Sequence, residues 1–139
     1  MVQKVVCKIE DKYQIVASDE KNHQIVMDIK KKFGGEESGF MPMPVMLAAL
    51  GGCLSVDVKL ILEKMRCPVE SVVANINGNL DETVKPHAYG SVDVEVIVRG
   101  DIEQSKLEQA LKLAEEKYCN VSIMFKKIFP INTSIKREE

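Results

Sequence analysis

The sequence predicts a single domain, residues 1–139, of the α+β class, in which strands and helices occupy separate stretches of the chain. Three observations lead to this prediction. Short runs of alternating apolar and polar residues recur along the chain, a long segment around residue 50 is apolar and uncharged, and apolar residues between 102 and 117 follow helical spacing. A chain of 139 residues is long enough to form one hydrophobic core.

The N-terminal third predicts three short strands. A first alternating run is followed by a charged break and then by the run YQIVA, which predicts a hairpin. A third strand is predicted where every second residue falls on one face. The alternating residues are Val5, Cys7 and Ile9 in the first strand and His23, Ile25, Met27 and Ile29 in the third. Residues 30–42, with three glycines and a proline, predict a mobile loop leading to the first helix.

A long first helix is predicted from about residue 43 to 66, with Pro44 in its first turn and Pro68 marking its stop. Its first half is apolar on all sides, which requires burial on most sides. At roughly 1.5 Å per residue it would be about 36 Å long, which suggests burial against a partner subunit. Residues 38–56 carry no charge and approach membrane-spanning length, but prolines and glycines interrupt them, so a core helix is the better interpretation.

The C-terminal half predicts two long antiparallel strands, a second helix and a last strand. The strands alternate at Val72, Ala74 and Ile76 and at Val92, Val94, Val96 and Val98, and the last at Ile131, Thr133 and Ile135. Asp101 and Gln104 resemble a capping box that begins an amphipathic helix over residues 102–117.

Composition excludes several classes of function. A net charge of −2 argues against broad binding to nucleic acid or anionic membranes. The N-terminal stretch MVQKVVCKIEDK has charges within its apolar run and lacks a small-residue cleavage site, so we expect a cytoplasmic protein. The four cysteines show no CxxC spacing, which predicts neither structural disulfides nor a zinc site. No phosphate-binding glycine loop is present, and we expect no cofactor.

Cys53 follows two glycines within the first predicted helix, in LAALGGCLSV. Glycine costs roughly 1 kcal/mol relative to alanine inside a helix, so the pair needs a reason. Either Cys53 is an inert packing residue, which is the common case, or the glycines let a substrate or another backbone approach a reactive sulfur. Cys119 lies just past the second helix and is well placed to meet a partner thiol. Cys7 and Cys67 are predicted to be packing residues.

Three segments together resemble the osmotically inducible protein C and organic hydroperoxide resistance family (OsmC/Ohr), particularly its small "predicted redox protein" branch. They are Pro42 through LAALGGCLSVDVKLILEKMR, then KPHAY, and then EKYCNVSIMF. The resemblance implies an intertwined homodimer in which antiparallel sheets wrap long central helices. It identifies Cys53 and Cys119 with the two cysteines of the family.

The resemblance also implies chemistry. Cys53 would attack a hydroperoxide as a thiolate, Cys119 would resolve the resulting sulfenic acid, and an external dithiol would reduce the disulfide. The substrate would be a small hydroperoxide or disulfide. The sequence departs from the family in lacking its N-terminal arginine and its glutamate near the central helix, because Arg66, Arg99 and Arg137 all follow Cys53. A non-catalytic redox sensor or a dimer that binds a small hydrophobic ligand is therefore the alternative.

In place of the missing pair, Glu36 or Glu37 would substitute for the glutamate, and Lys30 would supply the positive charge of the arginine. Asp57, one helical turn after Cys53, either lies beside the thiol, where it would disfavour a thiolate, or begins the charged face of the helix, which is the favoured interpretation. His87, in KPHAY, is predicted to be a solvent-facing loop residue.

Overall fold

The computed structural model describes all 139 residues and contains six strands and three α-helices. The elements are β1 (Val5–Ile9), β2 (Ile15–Asp19), β3 (Gln24–Met27), α1 (Pro42–Lys64), β4 (Ser71–Asp81), β5 (Ala88–Arg99), α2 (Gln104–Leu113), α3 (Asn120–Phe125) and β6 (Ile131–Arg137). This order confirms the α+β class and all six predicted strands. The chain forms two compact units, residues 1–46 and 47–139, which are described in turn.

In the first unit, β1, β2 and β3 form an antiparallel sheet in chain order, with Cys7 opposite Ala17 and Ala17 opposite Ile25. The carboxylate of Asp19 accepts a 2.8 Å hydrogen bond from the backbone N–H of His23 and closes the β2–β3 turn. All of β1 is exposed in the protomer, Cys7 included. The prediction that Cys7 is a packing residue is therefore wrong for the protomer, because neither face of β1 is buried.

The loop after β3 is organised by Asp28, which is 1% exposed. Its carboxylate accepts hydrogen bonds from the Ser38 hydroxyl (2.6 Å) and from the backbone N–H groups of Ile29, Glu36 and Ser38. The Ser38 hydroxyl and these amides lower the pKa of Asp28 to about 2. The predicted mobile loop is thus held at one buried carboxylate.

In the second unit, β4, β5 and β6 form a sheet in that order. The predicted antiparallel pairing of β4 with β5 is confirmed, whereas β6 runs parallel to β5, with Val94 opposite Thr133. Alternate residues of β5 pack against the buried faces of α1 and α2 because a strand's side chains point to opposite faces in turn. The core residues from these three elements are Leu50, Leu54, Val58, Ile61, Leu62, Val92, Val94, Val96, Val98, Leu107, Ala110 and Leu111.

Helix α1 ends in a Schellman motif. Arg66 adopts a left-handed conformation with φ 60°, its N–H donates to the Glu63 carbonyl, and the N–H of Cys67 donates to the Leu62 carbonyl, both at 2.9 Å. Cys67 is buried, and its thiol donates to the Met65 carbonyl at 3.8 Å. The predicted packing role of Cys67 at the helix end is confirmed.

The second predicted helix differs from the structure at both ends. Its cap is Glu103 without a side-chain hydrogen bond, and Asp101 instead pairs with Arg137 at 3.2 Å, so the predicted capping box is wrong. The α-helix stops at Leu113, and residues 114–118 form a π-helical turn before α3, which the sequence did not predict.

Candidate functional site

The fold brings Cys53 and Cys119 together. Cys53 is half-buried on α1, and Cys119 is fully buried at the N-cap position of α3. The two sulfur atoms and a carboxylate oxygen of Asp57 all lie within 4.8 Å of one another. Both cysteines predicted as site residues therefore occupy one cluster, which Asp57 joins.

A π-helical turn positions Cys119. In the segment Ala114–Tyr118 the helix takes in an extra residue, and the N–H of Cys119 donates to the Ala114 carbonyl at 2.8 Å. The chain then becomes extended at Cys119, whose sulfur accepts a 3.4 Å hydrogen bond from the N–H of Ser122. Single π turns within α-helices occur often at functional sites because they redirect one side chain.

Glu115 fixes this turn to its surroundings. One carboxylate oxygen accepts a 2.8 Å hydrogen bond from the Thr133 hydroxyl on β6, and the other lies 3.5 Å from the Lys126 ammonium just after α3. The side chain of Glu115 is only 14% exposed, so these contacts are shielded from solvent. The turn that presents Cys119 is thereby held from two sides.

Asp57 is half-buried, and its carboxylate accepts a 3.9 Å hydrogen bond from the Cys53 thiol. The favoured interpretation of Asp57 as merely the start of a solvated face is wrong, because it lies beside both thiols. No ion pair within residues 47–139 includes Asp57; those pairs join Lys59 to Glu63, Arg99 to Glu138, Lys126 to Glu115, Lys136 to Glu95 and Arg137 to Asp101. An unpaired carboxylate disfavours a second negative charge nearby.

Burial raises the pKa of the Cys119 thiol to about 12. The contacts with Cys53 and the negative charge of Asp57 contribute to this raised pKa, and the hydrogen bond from the N–H of Ser122 opposes them. Cys119 is therefore a protonated thiol at neutral pH. Such a group suits a resolving cysteine, which attacks second, better than a first nucleophile.

A cavity of about 190 Å³ reaches Asp57. Its walls come from the second half of α1, the end of α2 and the π turn. The lining residues are Asp57, Leu60, Ile61, Lys64, Met65, Leu113 and Tyr118. Sequence reasoning did not single out Lys64 or Tyr118, although Tyr118 directly precedes Cys119 and Lys64 follows Asp57 by two helical turns. The walls are mostly apolar, with Asp57 and Lys64 as the charged groups.

The two glycines beside Cys53 have different surroundings. A Cβ atom on Gly51 would lie 3.1 Å from Cγ1 of Ile76 on β4, so this glycine lets α1 pack closely on the sheet. A Cβ atom on Gly52 would meet nothing within 4 Å. Close packing on the sheet explains Gly51, while Gly52 has no explanation within the protomer.

The other candidate residues have local roles. His87 is exposed between β4 and β5, which confirms the prediction of a solvent-facing residue. Glu36 pairs with Lys12, and Glu37 accepts a 3.1 Å hydrogen bond from the N–H of Lys31, within the first unit. Lys30 contributes its carbonyl to the turn at Phe33.

Comparisons with known proteins agree with this architecture. The model of the family described as "OsmC-like protein" matches residues 34–134. The Escherichia coli K12 protein YhfA is 33% identical over 113 residues, which cover 81% of each chain. A crystal structure of a hypothetical protein from Aquifex aeolicus VF5 is similar with a TM-score of 0.83 and 29% identity, covering 100% of this chain and 99% of that one.

A more distant structure, from Legionella pneumophila, has a TM-score of 0.74 at 14% identity and covers 98% of both chains. It is described as an organic hydroperoxide resistance protein OsmC and predicted redox protein. At this identity the likeness concerns the fold alone. The family model and the YhfA relationship show that the chain belongs to the OsmC-like protein family, as its sequence resemblance implied.

Proposed function

We propose that this protein is a thiol-dependent redox protein that reduces organic hydroperoxides through Cys53 and Cys119. The observation that carries the proposal is the separation of the two sulfur atoms by no more than 4.8 Å, beside a largely apolar cavity. A sulfenic acid on one cysteine would lie within reach of the other after small side-chain rotations. Peroxide chemistry also agrees with the description of the Legionella relative.

The proposed reaction has three balanced steps. The Cys53 thiolate attacks the terminal oxygen of the hydroperoxide, the O–O bond breaks, and the alcohol leaves after taking up a proton. The Cys119 thiol then attacks the sulfenic sulfur of Cys53, which forms a disulfide and releases water. An external dithiol reduces this disulfide and becomes a disulfide itself.

The cavity favours an organic hydroperoxide over hydrogen peroxide. Leu60, Ile61 and Leu113 supply apolar walls that an alkyl or aryl group would remove from water, at roughly 25 cal/mol per Å² of buried apolar surface. Hydrogen peroxide has no such group. We expect the difference mainly in KM, since binding of the organic body is remote from the oxygen that reacts.

We also propose a cytoplasmic homodimer, with its thiols kept reduced. By length and composition α1 is apolar enough to cross a membrane, and only 33% of its most apolar window is buried in the protomer. Val56 and Leu60 on α1 are 57% and 51% exposed, and Gly52, one turn before Val56, is open. A second copy of the chain would cover this face. Light scattering should therefore show that the wild-type protein is a dimer and that Val56→Glu is a monomer.

The activity is tested by incubating the purified protein with cumene hydroperoxide and dithiothreitol while thiol consumption is followed. We expect turnover that disappears in Cys53→Ser and persists in Cys7→Ser, which changes an exposed cysteine in the first unit. A rate equal to that of buffer in the wild-type protein would contradict the enzymatic proposal.

A redox sensor is the second candidate, and the unpaired carboxylate of Asp57 favours it. A carboxylate beside the reacting sulfur would repel the negative charge that develops on the hydroperoxide oxygen as the O–O bond breaks, so oxidation would be slow. With dithiothreitol present, a sensor would consume hydroperoxide no faster than an equal concentration of free cysteine, whereas an enzyme would turn over far faster.

A further inference from the structure

We propose that Cys53, Asp57 and Cys119 form a binding site for one Zn²⁺ ion in the reduced protein. This inference is independent of the proposed peroxide chemistry because it requires only two thiols and a carboxylate. Three donor atoms from two separate parts of the second unit meet in one half-buried cluster. The sequence lacks paired cysteine or histidine spacing and therefore predicted no zinc site. Spacing detects only ligands that are close in sequence, whereas the fold brings these three donors together from distant positions.

The distances suit zinc. Three atoms that lie within 4.8 Å of one another always share a point no more than about 2.8 Å from each of them. Zinc bonds are roughly 2.3 Å to sulfur and 2.0–2.2 Å to a carboxylate oxygen. Each sulfur atom therefore needs to move by at most about 0.5 Å and the carboxylate oxygen by at most about 0.8 Å, which small side-chain rotations supply.

The donor types also suit zinc. Two sulfur ligands and one carboxylate select a borderline-soft ion such as Zn²⁺ over Mg²⁺ or Ca²⁺, which prefer oxygen alone. Cys53 and Asp57 are one helical turn apart on α1, so one rigid element supplies two ligands on the same face. Asp57 also lines the 190 Å³ cavity, where a water molecule has room to complete a tetrahedral set.

Electrostatics gives an independent reason. Asp57 has no cationic partner among the ion pairs of residues 47–139, although it is half-buried beside two ionisable thiols. A divalent cation would neutralise the carboxylate and one thiolate and stabilise the second thiolate by coordination. Binding displaces one proton from each thiol and changes no oxidation state. Zinc would occupy both sulfur atoms, so the metal-bound and disulfide forms would exclude each other.

The test is an anaerobic titration of reduced protein with Zn²⁺ in competition with a chromophoric chelator, together with Co²⁺ absorption spectra. We expect one Zn²⁺ per chain and a tetrahedral Co²⁺ spectrum with sulfur-to-metal charge transfer. Cys53→Ser and Cys119→Ser should each weaken binding at least about 100-fold, and the nearly isosteric Asp57→Asn by about 10-fold to 100-fold. Cys7→Ser is the matched control and should bind as wild type.

The proposal is overturned if wild-type protein binds Zn²⁺ with a Kd above about 10 μM. It is also overturned if binding persists in Cys119→Ser or is lost in Cys7→Ser. Circular dichroism of each variant checks that it is folded. If a cysteine variant unfolds, Asp57→Asn still tests the site, because it keeps both thiols and removes only the carboxylate. The titration uses no peroxide, so its result does not depend on the proposed peroxidase activity. Zinc binding without peroxidase activity would contradict only the proposed function, and activity without zinc binding would contradict only the zinc site.

Discussion

The sulfur atoms of Cys53 and Cys119 lie within 4.8 Å of each other, although one is on α1 and the other caps α3. A different structural feature positions each sulfur atom. Close packing of α1 on β4 at Gly51 places the first, and the π turn at 114–118 places the second. A disulfide needs about 2.05 Å between sulfur atoms, so modest side-chain rotation must accompany its formation.

The buried Cys119 thiol should make the protein less stable at alkaline pH. Between the ordinary thiol pKa near 9 and the raised pKa of about 12, the unfolded chain loses this proton while the folded chain keeps it. Since the unfolded state then binds fewer protons, the free energy of unfolding falls as pH rises through this window. Urea unfolding in reductant from pH 8 to pH 11 should show a smaller loss for Cys119→Ala than for wild type.

Other groups titrate in the same range, so the comparison between variants isolates the thiol. Cys7→Ala removes an exposed cysteine and should lose stability in parallel with wild type. Parallel curves for wild type and Cys119→Ala would show that Cys119 is not protected from ionisation.

Glu115 should position Cys119 through the π turn. Glu115→Ala removes the contacts to Thr133 and Lys126 and should lower the free energy of unfolding by about 1–2 kcal/mol. Disulfide formation between Cys53 and Cys119 should also slow, because the turn that presents the second sulfur is loosened. Glu116→Ala, the exposed neighbour, should change stability by less than about 0.5 kcal/mol and leave the rate intact. If Glu115→Ala and Glu116→Ala changed stability and the rate of disulfide formation equally, Glu115 would not be a positioning residue for Cys119.

The two glycines should respond differently to alanine. In Gly51→Ala the new methyl group presses on Ile76, so the protomer should lose stability while it still dimerises. In Gly52→Ala the methyl group meets no atom of its own chain but enters the proposed dimer face. We expect its dimer dissociation constant, measured by sedimentation, to rise about 10-fold. A Gly52→Ala protein that dimerises normally and gains about 1 kcal/mol of stability would place Gly52 in solvent.

Asp28 should make the first unit sensitive to acid. Its folded pKa of about 2 lies below the ordinary value of 3.8, so its stabilising effect is present above pH 3.8 and is lost as pH falls toward 2. Asp28→Asn should unfold more easily at pH 7 and should lose less stability between pH 4 and pH 2 than wild type. Asp11→Asn, in the exposed β1–β2 turn, is the control and should follow the wild-type profile.

Residue patterning predicted the six strands, through the alternation of apolar and polar residues, and the long helix, through its uncharged apolar run. It missed α3 and the π turn, since hydrogen bonds between neighbouring elements, such as that from Thr133 to Glu115, define them. The role of Asp57 was misjudged for the same reason. Helical spacing placed it beside Cys53, but only the tertiary fold brings Cys119 to the same point. The pairing of Cys53 with Cys119 was predicted from the family resemblance and not from residue patterning.

The burial of Asp28 shows a second limit of sequence reasoning. Nothing in the alternating pattern of β3 distinguishes this carboxylate from an exposed one. Its burial depends on backbone amides that converge from the following loop, including those of Glu36 and Ser38. Charged side chains are buried only where such donors satisfy them, and local sequence does not reveal that convergence.

The most direct test of the redox pair is disulfide mapping by mass spectrometry after one equivalent of cumene hydroperoxide. Unreacted thiols are alkylated before digestion, and Cys119→Ser treated with dimedone serves as a parallel sample. We predict a single peptide pair that joins Cys53 to Cys119, and a dimedone adduct on Cys53 in the variant. Oxidised protein in which these two cysteines are both alkylated, or are each joined only to Cys7 or Cys67, would contradict the account.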